Sequence, residues 1–311
     1  MTVVVRHEPG IHDLGPAVVA LGVFDGVHVG HQALVREAMR IAGEREVTAC
    51  VLTFDRDPDQ VVTPGRAAPQ LTTLEDKIAF LVEIGPGAIV VVPFDEALAR
   101  MEPESFVEDV LADVCSPVAC VVGADFRFGA QATGDADTLR SEGRTHGFDV
   151  RTFDLVNADG SPVSSSRIRA LIAAGEVDEA ASLLGRPHRL HGVVVRGMSR
   201  GRTIGVPTAN IDAPKGFALP ASGVYAGWVL AGEERYPAAI SVGLPPTFPD
   251  ASCVLEAHLI GFAGDLYDHE VTVEFAVFIR AQRAFDEIAE LGHAITDDVA
   301  RATTILGERD R

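Results

Sequence analysis

The feature that most constrains the fold is a hydrophobic pattern that changes near residue 185. Before that point, apolar runs of strand length alternate with amphipathic segments of helical length. The runs lie at 17–23, 47–54, 88–93, 118–123 and 149–156, and the amphipathic segments at 33–43, 74–84, 103–113 and 137–146. This alternation repeats a β–α–β unit, so we predict a doubly wound parallel sheet covered by helices on both faces.

The pattern changes after two short predicted helices, 165–174 and 176–184, which end at Gly185-Arg186-Pro187. Beyond that break, short β segments are separated by glycine and proline: 189–196, 223–230, 236–242, 253–260 and 270–278. Such spacing predicts a small antiparallel β-barrel, followed here by an amphipathic helix at 286–306. We therefore predict an α/β domain at 1–185 and a β domain at 186–311.

Charge and composition exclude several classes of partner. The formal net charge of −19 argues against binding to nucleic acid or to an anionic membrane surface, because both need a basic protein surface. No run approaches the roughly 18 apolar residues of a membrane span, and residues 1–10 lack the pattern of a secretion signal. We expect a cytoplasmic protein, and the sequence is compatible with a homo-oligomer. The cysteines lack CxxC spacing and are expected to be reduced packing residues: Cys50, Cys115, Cys120 and Cys253.

A glycine- and histidine-rich turn follows the first predicted strand, with the sequence GVFDGVHVGH at 22–31. Its glycines, Gly22, Gly26 and Gly30, allow the backbone to approach a ligand. The helix that follows offers unpaired N–H groups that suit a phosphate. His28 and His31 are spaced to face the same phosphates as hydrogen-bond donors. This combination favours nucleotidyl transfer, although turn or core histidines would explain either histidine alone.

Two further segments carry candidate residues of the first half. Ser164-Ser165-Ser166-Arg167-Ile168-Arg169 opens a predicted helix, so Ser165 and Ser166 can cap it or bind phosphate while Arg169 supplies cationic donors. Asp125 and Phe126 belong to VGADFRFG at 122–129 and follow a predicted strand, at the sheet edge where such folds bind ligands.

Together these three segments resemble the adenylyltransferase module of bacterial FAD synthetases, within the nucleotidyltransferase superfamily. The resemblance implies that the phosphate of FMN attacks the α-phosphorus of ATP and expels pyrophosphate, with His28, His31 and Arg169 stabilising the charge. It also implies an ATP and flavin site that includes Gly22, Phe24, Asp25, Gly26, Gly30, Asp125, Phe126, Ser165 and Ser166. Asp25 has two further interpretations, a loop-orienting and a capping or salt-bridge role.

The first half departs from the family pattern at two positions. Asp57 stands where the family pattern TFxPHP has a histidine, and its charge is expected to repel phosphates. Ser166 replaces a threonine and keeps the hydroxyl.

The second half contains GMSRGRTIGVPTAN at 197–210, with glycines at intervals of four and basic residues between them. It is no Walker A loop, because no GK[ST] follows. The oxygens of Thr208 and Asn210 suit Mg²⁺. Glu256, in VLEAHL at 254–259, is an acid within an apolar strand, and strand alternation alone would explain it as an outward-facing residue.

This segment resembles the phosphate loop and PTAN motif of riboflavin kinases. The resemblance implies that Thr208 and Asn210 hold Mg²⁺ and ATP phosphates and that Glu256 is the base for the riboflavin 5′-hydroxyl. It adds Gly197, Arg202, Gly205, Pro207 and Tyr267 to the binding site. The sequence departs from the pattern at Val206 for phenylalanine, Pro245 for asparagine and Asp268 for glycine.

The leading hypothesis is a bifunctional enzyme that converts riboflavin to FMN and FMN to FAD, with MgATP as the second substrate of both steps. One alternative keeps only FMN adenylyltransferase activity, with a catalytically weak kinase-like barrel. Another is a flavin-binding regulatory protein without turnover, against which the retained histidines, Thr208, Asn210 and Glu256 argue.

Overall fold

The computed structural model describes residues 2–6, 14–112, 115–154, 156–197, 206–243, 255–285 and 287–309. The chain divides by packing into two compact units, Met1–Ser165 and Ser166–Arg311. This division falls earlier than the predicted join at 185–186, because Val177 packs with the apolar core of the second unit. Where the two modules meet in sequence stays a prediction.

The first unit is built around six parallel strands. They are β1 Val3–Arg6, β2 Ala17–Leu21, β3 Thr48–Phe54, β4 Ala88–Val92, β5 Pro117–Gly123 and β6 Asp149–Phe153. The helices between them are α1 Val29–Arg45, α2 Asp59–Val62, α3 Leu74–Ile84, α4 Glu96–Ala99, α5 Pro103–Phe106 and α6 Ala136–His146, and α5 continues as a π-helical stretch over Val107–Ala112. A two-stranded hairpin, β7 Asn157–Ala158 and β8 Ser161–Pro162, follows. The strand order is β1-β4-β3-β2-β5-β6.

The parallel sheet has an apolar cluster on each face. Successive β2 side chains alternate between them: Val19 and Leu21 join one cluster, and Val18 and Ala20 join the other. This is the period of two expected of a strand that is buried on both sides. Val35 of α1 packs on one face and Leu139 of α6 on the other. The predicted doubly wound sheet is confirmed.

The second unit is a closed antiparallel barrel of six strands in the order β10-β13-β12-β11-β14-β9. The strands are β9 His188–Val195, β10 Ala209–Asp212, β11 Gly223–Ala231, β12 Glu234–Val242, β13 Leu255–Leu259 and β14 Glu270–Arg280. Two helices precede the barrel, α7 Ser165–Ala174 and α8 Val177–Leu184, and α9 Ile288–Arg309 follows it. The predicted barrel with a terminal helix is confirmed.

The barrel strands also alternate between two apolar clusters. Tyr225 and Val229 of β11 point to the main cluster, whereas Trp228 joins an outer cluster with Ala302 and Leu306 of α9. An ion pair between half-buried Arg280 and buried Asp298 secures the same helix, because Arg280 Nε and Nη2 donate to the Asp298 carboxylate at 2.6–3.1 Å. The terminal helix therefore covers the outside of the barrel.

Three of the four cysteines lie within the described residues. Cys50, Cys115 and Cys120 are free and buried, as predicted, and burial raises the pKa of the Cys120 thiol well above its ordinary value. Cys253 lies outside the described residues.

Within the part of the chain that the structure describes, no helix is long and apolar enough to cross a membrane.

Candidate active sites of the two units

The turn between β2 and α1 contains both predicted histidines. His28 is the N-cap of α1, and its Nδ1 accepts a hydrogen bond from the backbone N–H of His31 at 3.2 Å. An accepting Nδ1 has no proton, so the neutral ring carries its proton on Nε2. The two imidazole rings stack with their centroids 3.6 Å apart. The fold thus places both rings together at a helix N-terminus, where the macrodipole favours an anion.

The glycines of this turn are needed for close packing. A Cβ on Gly30 would lie 3.1 Å from two ring atoms of His28, and a Cβ on Gly22 would lie 3.2 Å from the ring of Phe24. Phe24 has φ +56° and Val27 has φ +39°, values that are uncommon for residues other than glycine. The backbone of the turn is therefore strained at two residues, and surrounding contacts must hold it.

Asp25 is one source of those contacts. Its buried carboxylate accepts hydrogen bonds from the N–H of Leu71 at 3.0 Å and from both the N–H and the hydroxyl of Thr72 at 3.2 Å. The N–H of Gly26 donates in turn to the Thr72 hydroxyl. Asp25 thus joins the histidine turn to residues 71–72, which agrees with the loop-orienting interpretation.

Ser165 also reaches this turn. Its hydroxyl donates to the backbone carbonyl of Asp25 at 2.9 Å, at the point where α7 begins. Ser166 is exposed, and Arg169 follows one turn later on α7, within the second unit. Ser165 is therefore the residue of the predicted serine segment that lies next to the histidine turn within the first unit.

Lys77 was missed by the sequence analysis. Its buried ammonium donates to the carbonyls of Val23 at 3.1 Å and Phe54 at 2.8 Å, and so links the chain segments that leave β2 and β3. Burial lowers the pKa of Lys77, and the negative charge of nearby Asp57 opposes that shift. The available signal was a lysine among the apolar residues of α3.

Asp125 and Phe126 lie directly after β5, as predicted. Asp125 is exposed in a turn, and the Phe126 ring stacks on Phe128 with the centroids 5.4 Å apart. This stacking gives Phe126 a packing partner within the fold. Its contact with a flavin or a nucleotide stays a prediction.

In the barrel, strand pairing brings two predicted residues together, and two more lie next to one of them. Asn210 of β10 lies opposite Glu256 of β13 in the antiparallel register. A Cβ on Gly197 would lie 2.2 Å from Asn210 Nδ2, so glycine makes room for the asparagine amide. Thr208 immediately precedes β10. The strand β10 was not predicted, because its four residues, ANID, carry too little apolar pattern to be recognised as a strand.

His258 was also missed. It lies two residues after Glu256 on β13, and its Nδ1 is 2.7 Å from the carbonyl oxygen of Pro207. Glu256 and His258 are both half-buried, whereas their neighbours Leu255, Ala257 and Leu259 belong to the barrel core. The alternation in VLEAHL could have indicated that these two polar residues share a face.

The other predicted residues of this half are placed as follows. The ring of Tyr267 lies with its centroid 4.6 Å from the guanidinium carbon of Arg196. Asp268 has φ +64°, the left-handed region in which glycine, its family counterpart, is unstrained. Arg202, Gly205 and Pro245 lie outside the described residues.

The residue types around Asn210 fit Mg²⁺. Thr208 and Asn210 offer a hydroxyl and an amide oxygen, which are neutral oxygen ligands suited to a hard cation that retains water. Among the described residues, no group of three or more His, Cys, Asp and Glu side chains is placed to hold a metal ion.

Comparison with known proteins identifies both halves. The model of the FAD synthetase family matches residues 11–167, and the riboflavin kinase model matches residues 184–306. The bifunctional riboflavin kinase/FMN adenylyltransferase of Pseudomonas fluorescens is 36% identical over 95% of this chain and 96% of its own length. The protein of the same description from Bacillus subtilis is 34% identical over 92% of this chain and 91% of its own length.

A solved structure extends the comparison to the fold. A crystal structure from Streptococcus pneumoniae, described as a macrolide-efflux protein, has a TM-score of 0.86 and 29% identity, and the match covers 97% of this chain and 99% of that one. Both sequence resemblances are thus confirmed along nearly the whole chain. The chain belongs to the family of bifunctional riboflavin kinase/FMN adenylyltransferases.

Proposed function

We propose that this chain carries out two successive reactions with ATP as co-substrate. The barrel unit transfers the γ-phosphoryl group of ATP to the 5′-hydroxyl of riboflavin and so forms FMN. The histidine turn of the first unit serves the transfer of AMP from ATP to FMN, which yields FAD and pyrophosphate. The match to a riboflavin kinase model favours this proposal over an adenylyltransferase with a weak kinase-like barrel.

Adenylyl transfer needs alignment and charge stabilisation rather than a general base, because the attacking FMN phosphate is already anionic. The N–H on His28 Nε2 and the N-terminus of α1 are suited to donate to phosphate oxygens. His31 stacks on His28 and is proposed to act with it. Arg169 is proposed to supply further cationic donors.

Phosphorylation of riboflavin needs removal of a proton from an alcohol, and a carboxylate is suited to accept it. The observation that carries this assignment is the β10–β13 register, which sets Glu256 directly opposite Asn210. We assign proton removal to Glu256. Thr208 and Asn210 would hold Mg²⁺, which when bound offsets the negative charge of the ATP phosphates.

The test is a chromatographic time course with ATP and Mg²⁺, started in parallel from riboflavin and from FMN. The unmodified protein should form FMN and then FAD from riboflavin. Glu256→Gln should abolish FMN formation and leave FAD formation from supplied FMN largely intact. Glu270→Gln, at an exposed position on β14, is the matched control and should behave as the unmodified protein.

The complementary variant is His28→Ala with His31→Ala. It should lose FAD formation and keep FMN formation. Equal loss of both activities in the Glu256 variant would contradict separate sites, and unchanged FAD synthesis in the histidine variant would remove the role assigned to the two histidines.

A further inference from the structure

We infer that His258 is a positioning residue of the kinase site, which fixes the carbonyl of Pro207 and thereby the placement of Thr208. The inference rests on the proposed function of the barrel. It concerns a residue that acts through the backbone and does not itself touch the reacting atoms.

The first support is the direction of the hydrogen bond. His258 Nδ1 and the Pro207 carbonyl oxygen are 2.7 Å apart. A carbonyl oxygen can only accept, so the ring must carry its proton on Nδ1 and donate it. The hydrogen bond thus specifies which ring nitrogen of His258 carries the proton. Groups that hydrogen-bond to metal-binding histidines fix the tautomer of those rings in the same way.

The second support is the position of the bond in the sheet. The ladder between β10 and β13 pairs Ala209 with Ala257 and Asn210 with Glu256. Thr208 precedes the first residue of β10. The His258 side chain therefore holds the carbonyl of the peptide bond between Pro207 and Thr208. This peptide bond lies just before Ala209, the first paired residue of β10.

The third support is that β13 carries both the proposed base, Glu256, and the proposed positioning residue, His258. Glu256 and His258 lie on the same side of β13, because side chains two apart on a strand share a face. Glu256 faces Asn210 across the register, and His258 holds the residue before Thr208. A displacement of about 1 Å can cost on the order of 100-fold in rate, so the spacing between the base and the cation ligands would depend on His258.

Two substitutions separate the hydrogen bond from the bulk of the ring. His258→Leu keeps a side chain of similar volume but removes the donor. His258→Asn retains an N–H donor close to the position of Nδ1. His293→Leu, at an exposed position on α9, is the matched control for the loss of a histidine.

We expect His258→Leu to lower kcat/KM for FMN formation by about 10- to 100-fold and to raise the Mg²⁺ concentration needed for half-maximal rate, as losses of such partner groups do. His258→Asn should stay within about 3-fold of the unmodified protein, a difference of about 0.7 kcal/mol. FAD formation from supplied FMN should remain unchanged in both variants, which shows that the first unit is folded. Near-normal FMN formation by His258→Asn would show that the barrel itself tolerates replacement of the histidine.

A measurement without substrates accompanies the kinetics. Backbone hydrogen exchange of a peptide spanning residues 206–212 should be faster in His258→Leu and unchanged in His258→Asn. Normal kinetics and exchange in His258→Leu, or equal defects in the leucine and asparagine variants, would overturn the inference. Absence of FMN formation by the unmodified protein would instead contradict the proposed kinase function, on which the inference rests.

Discussion

Removal of the Asp25 carboxylate should release residues 71–72 from the histidine turn. In Asp25→Ala, three buried donors lose their acceptor: the N–H groups of Leu71 and Thr72 and the Thr72 hydroxyl. At about 1 kcal/mol net for each bond, the local loss is about 3 kcal/mol. Asp25→Asn retains one acceptor oxygen and should lose about 1 kcal/mol.

The assay is hydrogen–deuterium exchange at the amides of Leu71 and Thr72, since both donate directly to Asp25. A loss of about 3 kcal/mol corresponds to exchange faster by on the order of 100-fold. Asp109→Asn is the control, because Asp109 is exposed on the π-helical stretch. Its exchange at residues 71–72 should equal that of the unmodified protein.

The ranking of the unmodified protein and the two variants by exchange rate is the decisive result for Asp25. Exchange should be slowest in the unmodified protein, intermediate in Asp25→Asn and fastest in Asp25→Ala. Unchanged exchange in Asp25→Ala would refute the loop-orienting role. Equal exchange in the two variants would show that the acceptor geometry at residue 25 does not set the stability of this contact.

Three further predictions concern the barrel. Arg280→Ala leaves the buried Asp298 carboxylate without this ion pair and should lower the free energy of unfolding by about 3 kcal/mol; denaturant titration followed by the fluorescence of Trp228, which packs with α9, measures it, and an unchanged midpoint contradicts it. Asp268→Gly should be at least as stable as the unmodified protein and Asp268→Ala about 1 kcal/mol less stable, because φ is +64°; thermal unfolding that ranks alanine above glycine would show that this backbone strain is not decisive. Burial raises the pKa of Tyr225 to about 12, so the unfolded chain loses this proton first and stability should fall as pH rises from 10 towards 12. Tyr225→Phe should weaken that fall in denaturant titrations across this pH range, and an identical pH dependence would contradict the assignment.

Much of the fold could be predicted because it depends on local patterns. The period-two burial of β2 and the apolar stripe of α3 are visible within a dozen residues, and the predicted bounds of α3 agree with the observed ones. The start of α1 was placed at residue 33 rather than Val29 because its first turn has no apolar period; the cap on His28 Nδ1 begins the helix instead. The edge strand β1 was missed for the same reason, since exposed valines give no alternation.

The missed site residues depend on contacts that are distant in sequence. Lys77 is defined by carbonyls at positions 23 and 54, and His258 by a carbonyl at position 207. No local pattern specifies which carbonyl a side chain will meet. The motif residues themselves were found because their spacing reflects the chemistry of phosphate binding, although their assignment to particular ligand atoms stays a prediction.

The strand order has a consequence for the position of the histidine turn. The chain proceeds from β2 to β3 and β4 in one direction and then returns to β5, on the other side of β2. The helices that follow the neighbouring strands β2 and β5 pack on opposite faces of the sheet, as Val35 and Leu139 show. The connections that leave these two strands must therefore diverge, which creates a topological switch point at the carboxyl edge. Both sequence motifs, GVFDGVHVGH and GADFRFG, begin at this point, so the path of the chain alone brings the two candidate ligand-binding segments to the edge where doubly wound sheets bind ligands.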